Sequence, residues 1–150
     1  MKKTLPSSHA IADFTVKVAN VAHRLVLKAT CNRVLSTIST LPVVELKTTG
    51  RKSGQAHAVL LTAVVADDSR VVLIASKAGD DRHPDWYQNL VANPEVTVTV
   101  RRLARQLRAR TASPEERAEL WEHAISVYPG YAQYQRNTSR RIPVVICETR

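Results

Sequence analysis

Cysteine is scarce in this 150-residue chain, with Cys31 and Cys147 the only two. They form no CxxC pair and no metal-ligand cluster, which excludes a disulfide framework and reads as two reduced thiols in a reducing compartment. The five histidines, His9, His23, His57, His83 and His123, show no HxxxH or HxH spacing, so zinc is not expected. No Gly-x-Ser-x-Gly motif marks a hydrolase nucleophile. No stretch of about 18 apolar residues exists to cross a bilayer. Met1, Lys2 and Lys3 begin like a basic leader, but Pro6, Ser7, Ser8, His9 and Asp13 break any apolar run after them, so a cytoplasmic chain is expected. Internal repeats, low-complexity tracts and linkers are also lacking. The whole length, 1–150, is therefore expected to be one domain.

Negative charge is in short supply: 13 Asp and Glu stand against 22 Lys and Arg, a formal net charge of +9. Such a chain prefers a polyanionic partner. Nucleic acid, an anionic membrane and a multiply charged cofactor all qualify on composition.

The patterned segments begin at Asp13. Phe14, Val18, Val21 and Leu25 fall at helical spacing, with Lys17, Arg24 and Lys28 mostly off that stripe. Residues 1–36 thus read as a tail and a basic amphipathic helix, packed on a core or resting on a membrane surface. After Pro42 the pattern turns to strands: Val43 to Thr49, His57 to Ala66, Arg70 to Ser76, Val96 to Arg101, Arg105 to Thr111 and Ile142 to Glu148. The run Val59-Leu60-Leu61 predicts burial on both faces of the second strand. A short helix opens at Pro84 and stops at Asn93-Pro94. Ser113-Pro114-Glu115-Glu116 is a capping box for a helix to about Val127. Tyr128 to Asn137 reads as irregular or a short helical turn. Most connections are too short for parallel crossovers, so the class expected is mainly β or α+β: a small barrel of six mostly antiparallel strands with covering helices.

Four sets of residues could carry chemistry. Thr48-Thr49-Gly50-Arg51-Lys52-Ser53-Gly54 is a turn between strands, and its cations and hydroxyls suit phosphate or carboxylate oxygens. Its glycine spacing is not that of a Walker loop. The turn reads as exposed, and taken alone it reads first as a solvated basic hairpin. Ala75-Ser76-Lys77-Ala78-Gly79 follows a buried strand, where small residues let a flat ligand approach. Trp86, on the next helix, could flank a ring or pack in the core. Tyr128, Tyr131 and Tyr134 recur every third residue, and a tyrosine can donate a proton to a substrate oxygen. A rival reading as a nucleic-acid binder rests on Arg101, Arg102, Arg105, Arg108 and Arg110. That hairpin has no aromatic residue for stacking, which argues against it.

Whole phrases in order carry a family resemblance over about residues 40–148. They are Val44 to Gln55, Val71 to Gly79, His83-Pro84-Asp85-Trp86-Tyr87-Gln88-Asn89-Leu90, Ala92 to Val96, and Tyr128-Pro129-Gly130-Tyr131 through Ile142-Pro143-Val144-Val145. Together they resemble the deazaflavin (coenzyme F-420)-dependent nitroreductases. The resemblance implies a split β-barrel and hydride transfer from the reduced cofactor to a quinone, nitroaromatic or activated enone acceptor. It implies that the cofactor's phosphate and oligoglutamate tail meets Thr49, Gly50, Arg51, Lys52, Ser53 and Gly54. The ring would lie near Ala75, Ser76 and Lys77 with Trp86 close by, and Tyr131, Tyr128 and Tyr134 would border the substrate, Tyr131 being the first candidate proton donor. His57 stands where the resemblance leads one to expect an arginine contacting the tail. An FMN-dependent split barrel and a non-enzymatic carrier are the alternatives. The partner expected is a small-molecule electron acceptor, with peripheral contact to the inner face of the membrane through the N-terminal helix as a further expectation.

Overall fold

The computed structural model describes residues 41–150. The expectations placed on residues 1–40, including the amphipathic helix and Cys31, lie outside the described residues.

Six strands form a closed antiparallel barrel. They are β1 (Val43–Thr49), β2 (Ala56–Ala66), β3 (Arg70–Ile74), β4 (Glu95–Val100), β5 (Leu103–Thr111) and β6 (Val144–Glu148), joined in the order β1-β2-β3-β6-β5-β4. Among the described residues, three helices accompany them: α1 (Asp85–Ala92), α2 (Pro114–Val127) and α3 (Gly130–Arg136). A short 3-10 turn spans Lys77–Gly79.

The burial pattern follows from side-chain alternation. On β1, Val44, Leu46 and Thr48 are buried while Val43 and Lys47 are exposed, the mark of a strand with one covered face. Strands β3 and β6 are apolar on both sides. Val71, Leu73, Val145 and Cys147 fill the barrel, where Trp86 and Leu90 of α1 join them. Val72, Ile74, Val144 and Ile146 point outward under a cover made by Leu120 and Ala124 of α2 and Tyr131 of α3. Burial pushes the Cys147 thiol up to about 12, so it stays protonated and unreactive.

The structure corrects several details. Two-sided burial on β2 falls at Ala63 and Val64, not at Val59-Leu60-Leu61: Leu60 is 38% exposed. The register shifts between Ala63 and Val65, a bulge that turns Val64 outward under the α2 cover. Strand β3 ends at Ile74, two residues early: Ala75 still donates to the Pro143 carbonyl, but Pro143 has no N–H to return the bond and the ladder stops there. Strand β6 starts only at Val144, since Pro143 has no N–H to give. Strand β5 begins earlier than expected, at Leu103. Of the two readings of Tyr128 to Asn137, the helical one holds: Gly130–Arg136 form a short helix. The capping box is present: the Ser113 hydroxyl accepts from the Glu116 N–H and the Glu116 carboxylate accepts from the Ser113 N–H.

Antiparallel order sets the polarity of the barrel. One end carries the turn from β1 to β2, the loop after β3, helix α1 and the segment entering β6. The other end carries the Asp67–Ser69 and Arg101–Arg102 hairpin tips. Three of the five clustered arginines are engaged on the barrel itself. Arg105 donates to the carbonyls of Asp67 and Asp68, Arg108 pairs with Glu95, and Arg110 pairs with Glu116 and Glu148.

Candidate functional site

The residues singled out in the β1–β2 turn converge on a cavity of about 460 Å³ at the first of these ends. Thr48, Gly50, Arg51, Lys52, Ser53 and His57 line one side of it, and Asp85, Trp86 and Asn89 of α1 line another. Gly50 lies close against two exposed side chains. A Cβ there would stand 2.6 Å from the Ser53 hydroxyl and 2.7 Å from the His57 ring. Gly54 closes the turn with φ 68, a conformation that glycine adopts without strain.

Arg51 is not the free surface cation expected from the sequence. Its N–H and its Nη1 both donate to Asn89 Oδ1, at 3.2 and 3.0 Å, and its Nη2 pairs with Asp85 at 3.2 Å. Asn89 is buried, and its Nδ2 donates to Thr48 Oγ1 at 3.4 Å. Asn93 Nδ2 adds a bond to the Thr49 carbonyl at 3.4 Å. The turn is thereby tied to α1 and cannot wave as a hairpin tip. Lys52 is exposed and has no ion pair among the described residues. The Ser53 hydroxyl accepts from the Gln55 N–H at 3.2 Å and lies 3.4 Å from His57 Nε2. The cavity wall thus offers a guanidinium, an ammonium, a hydroxyl and an imidazole against one carboxylate, a donor set suited to an anion.

Ala75, Ser76 and Lys77 sit at the same end but do not line that cavity. Ala75 is buried and shares the barrel core with Trp86. Lys77 is exposed, with its ammonium 3.9 Å from Asp80. The loop touches α3 on its other side, where Gly79 meets the Tyr134 carbonyl so closely that a Cβ would lie 2.8 Å from it.

The three tyrosines do form one cluster. Ring centroids are 5.1 Å apart for Tyr128 and Tyr131, and 6.2 Å for the other two pairs. They are not equivalent. Tyr131 is buried with its hydroxyl 3.4 Å from Thr62 Oγ1, whereas the hydroxyls of Tyr128 and Tyr134 face each other at 3.3 Å on the surface. Burial raises the Tyr131 pKa, so its phenol keeps its proton across the neutral range. None of the three lines the Arg51 cavity.

Sequence reasoning missed Asp85 and Asn89, which hold the turn, and Arg140, which holds the loop. The one signal for the first two is their spacing of four on a helix, which puts both on the face toward Arg51.

A closed antiparallel barrel with a basic, anion-suited mouth and outside helical cover defines the split-barrel class. Within that class the sequence profile described as F420H(2)-dependent quinone reductase matches residues 21–149, and the chain belongs to that family. An F420H(2)-dependent quinone reductase of Mycobacterium tuberculosis is 38% identical over 112 residues, covering 73% of this chain and 74% of that protein. A solved F420-H2 dependent reductase (FDR-A) is 42% identical over 71% of this chain and 94% of its own, with a TM-score of 0.65. A chain solved as a domain-swapped dimer is 37% identical over 89% of this chain and 98% of its own, also with a TM-score of 0.65.

The Arg51 ties carry a stability consequence. Arg51→Ala removes the guanidinium bonds to Asn89 and Asp85 while the backbone N–H still satisfies Asn89. The expected cost is about 1–2 kcal/mol by urea unfolding, since one bond is charge-assisted and part-buried, rather than the roughly 0.5 kcal/mol of an ordinary surface site. A loss below that level would show that the turn holds its place without the side chain.

Proposed function

We propose that this chain is an oxidoreductase that binds reduced coenzyme F-420 at the barrel mouth and passes its hydride to a quinone, with nitroaromatic compounds and activated enones as further acceptors. The observation that carries the reading is the fixed cationic turn beside the cavity, in a chain of this family. The cofactor, when bound, supplies the hydride. The donor set fits its anionic tail: Arg51 is pre-oriented by Asn89, Lys52 is free to close on an oxygen, and Ser53 and His57 add polar contacts, with Thr49, Gly50 and Gly54 shaping the backbone. Ala75, Ser76 and Lys77 would receive the ring edge, with Trp86 packed behind them. Tyr128 and Tyr134 would border the acceptor. Tyr131 would hold the proton that the reduced acceptor takes up, with water as its competitor.

Titration with F-420 and FMN at matched pH and salt tests the cofactor. Tighter binding of F-420 is expected, and equal or tighter FMN binding would replace this reading with a flavin-dependent one. Lys52→Glu should leave stability within about 0.5 kcal/mol and weaken F-420 binding at least tenfold, about 1.4 kcal/mol. That loss should shrink at high salt and for a deazaflavin lacking phosphate and glutamates. Equal losses for whole and truncated cofactor would remove the tail from this turn.

Tyr131→Phe keeps the ring packing and removes the proton. Turnover should fall roughly 10²-fold with cofactor affinity unchanged. An unaltered rate across several acceptors would assign the proton to water.

A quinone acceptor partitions into membranes, and the basic amphipathic pattern of residues 13–36 suits peripheral contact there. Val18→Glu with Val21→Glu in the full chain should abolish sedimentation with anionic liposomes. Identical sedimentation of variant and parent would end this proposal.

A further inference from the structure

The loop after β3 has an improbable backbone. Lys77, Ala78 and Gly79 follow one another with φ 46, 53 and 83, three successive residues in the left-handed region, two of them with side chains. Such a path persists only where surrounding groups over-determine it. Arg140, from the segment between α3 and β6, holds both flanks of that path. Its Nε donates to the Asp80 carbonyl at 2.7 Å, its Nη2 to the Ser76 carbonyl at 2.8 Å, and its Nη1 to the Ala75 carbonyl at 3.2 Å. Arg140 is itself held, because its N–H donates to Thr138 Oγ1 and its carbonyl accepts from Gln135 Nε2 at 2.8 Å. Thr138 in turn donates to Asp81 Oδ1 at 2.7 Å.

Arg140 Nη1 also lies 3.2 Å from His83 Nδ1. A guanidinium offers only donors and stays charged. His83 must therefore accept at Nδ1, which puts its single ring proton on Nε2 and makes it neutral. Burial first, and the Arg140 charge second, hold the His83 pKa below the ordinary value of 6.5. The Tyr87 ring of α1 packs on it at 5.0 Å, and the charged residues near it in the chain are Asp80, Asp81 and Arg82 on its own loop and Asp85 at the start of α1. Asp80 is engaged by Arg82, Asp81 by Thr138, and Asp85 by Arg51. Asp81 accepts from an uncharged hydroxyl and so keeps its full charge, and together with Asp80 it offsets the Arg140 cation.

We infer that Arg140 is a positioning residue: it holds the Ala75–Asp80 loop in the shape that receives the deazaflavin ring, with neutral His83 as its acceptor. The inference rests on the ring placement proposed above. It makes ring binding sensitive to acid. Protonating His83 removes an accepted bond and sets two cations side by side. Ring affinity is therefore full above the lowered His83 value and declines as pH falls through it, on the acid side of 6.5.

The test combines hydrogen exchange in the ligand-free protein with titrations of F-420 and of a deazaflavin lacking phosphate and glutamates. The Gly79 and Asp80 amides, which donate to the Ser76 and Lys77 carbonyls, report the loop. In Arg140→Gln both amides should exchange at least about tenfold faster, and both ligands should lose about tenfold in affinity, since charge-assisted bonds are lost and the tail contacts are untouched. Arg140→Lys should give smaller changes of the same sign, and it serves if the Gln variant does not fold. His83→Asn keeps an oxygen acceptor for Arg140, so affinity should persist while the acid-side decline disappears. Unchanged exchange in both Arg140 variants would overturn the clamp and leave the ring placement standing. Faster exchange with unaltered affinity for both ligands would show that the ring is seated elsewhere, and the positioning role would fall with that placement. Retention of the acid-side decline in His83→Asn would remove His83 from the device.

Discussion

Val72, Ile74, Val144 and Ile146 have to be covered outside the barrel while Val71, Leu73, Val145 and Cys147 fill its inside. The remaining elements are arranged around that two-sided burial on β3 and β6. It demands helices on one outer face of the sheet, and α2 and α3 meet that demand. Docking α3 there brings Tyr131 against Thr62 and the Tyr134 carbonyl against Gly79. The chain must then return to β6 past the loop after β3, which is where Arg140 grips it. At the order of 25 cal/mol per Å² of apolar surface removed from water, such burial dominates any single polar contact in the molecule.

Polar contacts do something different here: they fix shape at one end of the barrel. Arg51 and Arg140 act alike, each a guanidinium directing its donors to neighbouring oxygens. One ties the β1–β2 turn to α1 and the other ties the β3 loop to the segment before β6. The planar fork of arginine suits this work, because several donors are oriented by one group. Lys52 is left free beside them. Much of the chain's positive charge thus serves structure, and the part directed at an anion is smaller than the formal +9 suggests.

Most of the fold was legible because its signals are local. β-branched alternation marked the strands, Ser113 with Glu116 marked a helix start, and Asn93-Pro94 marked a helix end. The errors came from tertiary effects. Leu60 and Val64 look equally apolar in sequence, and only the bulge and the position of α2 decide which is covered. Ile142 was misjudged as the start of the last strand because Pro143 sets that limit. In the candidate site, the glycines and cations of the β1–β2 turn were visible as a motif. Asn89 and Arg140 were not, since an asparagine on a helix and an arginine in a connecting segment acquire meaning only from the carbonyls, amides and side chains that the fold sets beside them.

Turnover of reduced F-420, rather than mere retention of it, separates an enzyme from a carrier. Purified protein mixed with reduced F-420 and a quinone, without oxygen, reads this out as reoxidation of the cofactor. Protein-dependent reoxidation that saturates in both cofactor and quinone is expected. Tight cofactor binding with no reoxidation above the protein-free rate, for quinones, nitroaromatics and activated enones alike, would refute the hydride transfer proposed for this barrel and leave a carrier in place of an enzyme.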